Sequence, residues 1–127
     1  METNKGLPSE PVWNQADLLL RADNDQDLIR ELLTIFKEDF PRTIQSLDSA
    51  VAGGNMKNTS SLSHGLKGML SNLGAARAAA AAARLEELAA GGDRVSSADV
   101  QDALKSLQRE VACLLPELDA YMTEVRH

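Results

Sequence analysis

The chain has 127 residues, 43% hydrophobic and 25% charged, with a formal net charge of -6, which is enough for one globular domain with a single core. An acidic balance with no Lys/Arg cluster disfavours phosphate backbones and so excludes nucleic acid as the expected partner. Only 3% of residues are aromatic, strand-favouring runs are scarce, and Ala, Leu, Glu, Asp, Arg and Lys dominate, so an all-α fold is expected.

Residues 1–12, "METNKGLPSEPV", hold two of the four prolines without apolar period and read as a flexible lead-in to a domain over 13–127. In "VWNQADLL", Asn14 is a candidate N-cap with Asp17 in the first turn, and Trp13 and Leu18 fit a hydrophobic staple, predicting a short helix over about 15–21. Next comes a long amphipathic helix, with Asn24 as its candidate cap and an apolar stripe of Ile29, Leu32, Phe36, Phe40, Ile44, Leu47 and Val51, closing at Gly53 and Gly54. Pro41 lies inside it, where loss of a backbone hydrogen bond predicts a kink or a break into two helices.

Asn55 is the candidate cap of a third helix with stripe Leu62, Leu66, Met69 and Leu73, ended by Gly74. "AARAAAAAARLEELAAGG" predicts an alanine-rich fourth helix with Ala78, Ala82, Leu85 and Ala89 inward. Ser96 and Asp99 resemble a capping box before the longest stripe, Val100, Leu104, Leu107, Val111, Leu114, Leu118, Tyr121 and Val125, with Pro116 as a possible kink. Four long amphipathic helices joined by short glycine turns predict an antiparallel up-down-up-down bundle with a short extra N-terminal helix. A monomer ranks ahead of a coiled-coil oligomer, because glycine turns interrupt the stripes.

No apolar run is long enough to span a bilayer, no signal-like h-region opens the chain, and the single Cys113 cannot pair internally, which together point to the cytoplasm. Cys113 reads as a helix-flank filler with no redox role. A metal site lacks ligands, a nucleophilic triad lacks partners, and no phosphate-binding glycine loop is present.

The informative stretch is "SLSHGLKGMLSNLG", where glycines at 65 and 68 follow the one internal histidine, each costing a helix roughly 1 kcal/mol relative to alanine. At 100° per residue, His64 points about 160° from the core centre near Leu66, and Ser60, Ser61, Lys67, Gly68 and Ser71 share its outer arc. A lone helical histidine is ordinarily a surface residue without a role. Here Gly68 leaves the ring unscreened and Lys67 can set an ammonium beside an anion such as a phosphoryl group.

"HGLKGMLSNLGA", His64 to Ala75, resembles the H-x-L-K-G-x-x-x-x-L-G-A pattern of histidine-containing phosphotransfer domains of bacterial multistep phosphorelays. "LLTIFKEDFPRTIQSL" and the glycine turn after it extend the resemblance over about residues 13–125. It implies that His64 accepts a phosphoryl group from a receiver-domain aspartyl phosphate and passes it to another receiver. It also implies that Lys67 lies near that group, that bulk at 68 would block docking, and that no ATP binds this chain. Mg²⁺ sits in the receiver partner. Gly65 departs from the pattern, which usually has a helix-tolerant residue there.

The implied partners are response-regulator receiver domains and a hybrid sensor histidine kinase, with this domain either free-standing or C-terminal in such a membrane-attached kinase. Counting from the turns puts about residue 44 and Arg84 level with His64, so docking contacts are sought at Phe40, Thr43, Leu47, Ser60, Ser61 and Gly65. For Phe40 and Leu47 the core reading is the stronger. Two rival functions remain open: the phosphoacceptor domain of a chemotaxis-type kinase, and a helical adaptor without chemistry.

Overall fold

The computed structural model describes residues 11–124, which form α1 (Gln15–Arg21), α2 (Gln26–Ala52), α3 (Met56–Leu73), α4 (Ala76–Ala90), a 3-10 turn (Gly92–Arg94) and α5 (Ser97–Glu124). No strand occurs among the described residues. The expected lead-in lies mostly outside them, as does Val125. α2 packs on α3 and α5, α3 on α4, and α4 on α5, which closes the four long helices around one core, while α1 touches α2 and α3.

The capping residues act largely as their chemistry dictates. Asn14, Asn55 and Ser96 each accept a hydrogen bond at 3.0 Å from the backbone N–H three residues on. Asn24 departs from expectation: it adopts a left-handed conformation with φ 60°, next to Asp23 at 56°, and makes the α1–α2 turn. Asp25 caps α2 instead, accepting from the Leu28 N–H at 3.1 Å. Both prolines sit within continuous helices, so α2 does not break at Pro41.

Two stripes are shifted by one residue. In α2, Leu33 is fully buried, whereas Leu32 is 38% exposed and Ile44 half-buried. Both leucines fit a three-or-four step from Ile29, but only Leu33 lies on the face that continues through Phe36 and Phe40. In α3, Leu70 replaces Met69 at the core, and Thr59 and Ser63 are wholly buried while Leu62 is only half-buried. The buried face of α3 is thus turned by about one residue from the expected stripe, with small hydroxyl side chains filling part of it. The inward positions expected in α4, and those in α5 up to Tyr121, are all buried.

α1 is fastened to the C-terminal end of α3. The Trp13 indole donates to the Leu73 carbonyl at 2.8 Å, Trp13 packs edge-on against Tyr121, and the Arg21 guanidinium donates to the Ser71 carbonyl at 3.0 Å. The Asn14 N–H also donates to the Gly74 carbonyl at 2.9 Å. Gly74 has φ 85°, and a Cβ there would lie 2.7 Å from the Asn14 carbonyl oxygen. Gly74→Ala is therefore expected to combine a left-handed alanine with a backbone clash, lowering stability by about 1–3 kcal/mol in thermal unfolding. Gly54→Ala, with φ 71° but open space, is expected to show only the conformational cost of about 1–2 kcal/mol.

Candidate functional site

His64 lies midway along α3 with Leu66 and Leu70 holding the opposite side of the helix in the core. Its side chain is 68% exposed. The ring Nδ1 is 2.9 Å from Oε2 of Glu86 on α4, and the Lys67 ammonium is 3.0 Å from Oε1 of the same carboxylate. One carboxylate thus bridges two side chains that leave α3 one turn apart.

The bridge fixes the chemistry of the ring. A carboxylate only accepts hydrogen bonds, so in the neutral imidazole Nδ1 carries the proton and donates it to Glu86. Nε2 then holds the free lone pair. The Lys67 hydrogen bond holds the Glu86 carboxyl below its ordinary range, and the bond from His64 adds to this, against a partial desolvation that pushes it up. A carboxyl depressed in the folded chain supports the site at neutral pH, and that support is lost as pH falls through the depressed value. In a carbon-detected NMR titration, Glu86 is expected to have a midpoint below the usual glutamate range, and Lys67→Ala is expected to raise it.

Gly65 and Gly68 are both open: a Cβ at either position meets nothing within 4 Å. Neither glycine is required by packing inside this chain, so the space they leave is kept on the outside, beside the ring. Ser61 and Ser71 are exposed and Ser60 half-buried along α3, and the Ser71 carbonyl is taken by Arg21. Thr43 is half-buried, its hydroxyl donating to the Asp39 carbonyl at 3.3 Å.

Two of the docking candidates are core residues. Phe40 is 9% exposed and Leu47 fully buried, so both belong to the core and offer no docking surface. Arg84 is exposed, and it is Glu86 that meets His64. Counting from Gly74 finds the right level on α4 but not the side. Leu85 points into the core, and Arg84 and Glu86 leave the helix about 100° to either side of it. Only Glu86 faces α3. The available signal was chemical: His64 and Lys67 one turn apart call for a carboxylate, and "RLEEL" supplies one at this level.

An Hpt domain family model matches residues 31–127, more than half of the chain. The chain belongs to the Hpt domain family. Members of this family carry phosphoryl groups on histidine within phosphorelays and meet receiver domains and kinases. The match to the Hpt model begins inside α2, so α1 and the first turn of α2 precede it. No curated protein and no solved structure gives a significant match.

Proposed function

We propose that this Hpt domain is a phosphotransfer carrier that takes a phosphoryl group on Nε2 of His64 from a receiver aspartyl phosphate and delivers it to a second receiver. The observation that carries the reading is the ring itself, exposed on α3 with Nδ1 tied to Glu86 and open space at Gly68 on the same face. In the reaction the Nε2 lone pair attacks phosphorus, the N–P bond forms, and the bond to the aspartyl oxygen breaks with its electron pair leaving on the carboxylate. The neutral ring becomes an imidazolium without any proton being moved. Its new charge is shared at Nδ1, beside the Glu86 carboxylate.

Lys67 lies one turn from His64 and supplies the cation nearest the incoming group, exchanging part of its bond with Glu86 for the phosphoryl oxygens. The Mg²⁺ used in such a transfer is held in the receiver's acidic pocket. The bundle runs up, down, up, down, in keeping with the short turns between its long helices. The chain acts as a cytoplasmic monomer. No helix of the described residues is long and apolar enough to cross a membrane.

The test is incubation of the chain with radiolabelled phospho-receiver and Mg²⁺, then treatment of the labelled protein with acid and with base. Label stable in base and lost in acid is expected for phosphohistidine. Label acquired only from an ATP-binding kinase domain, and never from a receiver, would replace this reading with the chemotaxis-type phosphoacceptor.

A further inference from the structure

Helix α2 packs on α3 along one flank and on α5 along the other, so the α2–α5 seam lies across the bundle from the α3–α4 seam where His64 meets Glu86. It opens into a groove of about 350 Å³ lined by Arg30 and Lys37 of α2 and by Asp119, Met122 and Thr123 of α5. Arg30 and Lys37 lie two turns apart on one face of α2, and Asp119 lies one turn before Met122 and Thr123 on α5.

Arg30 is the unexplained group in this groove. It is half-buried, its Nε atom is buried without a hydrogen-bond partner, and its guanidinium makes no ion pair among the described residues. Acids are at hand: Asp27 lies one turn before it, in a chain of net charge -6. A second unpaired group is close by. Tyr121 is 4% exposed, and its hydroxyl is likewise buried with no partner. Burial pushes that hydroxyl up from its ordinary range and the Arg30 charge pulls it back, which sets the two groups within electrostatic reach of each other. Buried donors left unpaired cost free energy that a bound acceptor recovers.

The charges around the groove select the acceptor. The Lys37 ammonium is paired with Asp119, which leaves Arg30 as the uncompensated charge of the lining, so a single negative charge balances the site. A planar guanidinium matches a carboxylate in a two-point fork, and Asp119 at the rim repels any second negative charge. The volume falls near the lower end of small-molecule sites, which begin at about 300 Å³, and Met122 adds an apolar wall for a short tail. We propose that the α2–α5 groove binds a small free monocarboxylic acid, its carboxylate held by Arg30, with the Thr123 hydroxyl donating to it and its tail against Met122. The site stands apart from the carrier reading, because it uses neither His64 nor the residues around the ring on α3 and α4.

The experiment titrates the isotope-labelled full chain with sodium butyrate at constant ionic strength and follows the Arg30 Nε–H signal and the backbone amides of residues 119–123 by NMR. Saturable shifts are expected with butyrate and none with chloride at the same concentration. Arg30→Met, of similar length but neutral, is expected to lose the saturable response and to melt at or above the wild-type temperature, since it removes an unpaired buried donor. Arg30→Lys keeps the charge without the fork and is expected to bind about tenfold more weakly, which keeps the proposal testable if Arg30→Met fails to fold. Labelling of His64 by phosphoramidate, a small phosphoryl donor that needs no docking surface, is expected to be unchanged in both. No saturable shift with butyrate, equal shifts with chloride, or a full response in Arg30→Met overturns the site and leaves the carrier standing. Inorganic phosphate binding more tightly than butyrate overturns the carboxylate. A capped tripeptide with a central glutamate binding more tightly than butyrate overturns the free acid in favour of a carboxylate on a partner protein.

Discussion

With His64 replaced by glutamine, phosphoryl transfer to this chain is expected to fall to background while the fold is unchanged. Glutamine is a good helix former, and an exposed substitution of this kind shifts stability by no more than about 0.5 kcal/mol. Its amide N–H groups can still donate to Glu86, so the bridge to Lys67 keeps an occupant on each side. What disappears is the nucleophilic nitrogen lone pair, for which an amide has no substitute. Labelling by phospho-receiver and by phosphoramidate should vanish together, with circular dichroism and thermal unfolding matching the wild type. Retained signalling in this variant would favour the adaptor reading, since an adaptor uses the surface and not the ring.

How far the sequence carried the structure depends on which force set each feature. Helix ends with a local cause were legible: Asn14, Asn55 and Ser96 cap where their side chains reach their own backbone, and Gly74 ends α3 with a positive φ. The Asn24–Asp25 turn was not, because asparagine suits both a cap and a left-handed turn, and the chain used it for the second. Periodicity gave the helices but left a one-residue ambiguity wherever two apolar residues adjoin. Leu32 against Leu33 and Met69 against Leu70 were decided by the neighbouring helices. The same limit applied to the site. The motif around His64 sits within one helix and could be read from spacing alone, whereas Glu86 belongs to it only through the rotation of α4 against α3. The exposure of Leu32 was hidden for the related reason that an apolar residue in a helix is first read as core.

Gly68→Arg separates the surface from the fold most sharply. A Cβ at 68 has no neighbour within 4 Å, and replacing a helical glycine removes a penalty of about 0.5–1 kcal/mol, so the variant is expected to melt at or above the wild-type temperature. Its side chain must then stand on the outer face one turn beyond His64, where a receiver has to bring its aspartyl phosphate within bonding distance of Nε2. In-line attack tolerates little displacement, and an arginine there adds bulk that the partner cannot pass without losing that alignment. Transfer from a phospho-receiver is expected to drop by a factor on the order of 100 or more, while phosphoramidate, small enough to approach beside the new side chain, still loads the ring. Gly68→Ala should lie between the two, gaining the helix stability with a smaller loss of transfer. The wild type thus keeps a less stable helix in exchange for access to His64, and wild-type transfer in Gly68→Arg would mean that the partner approaches from another side.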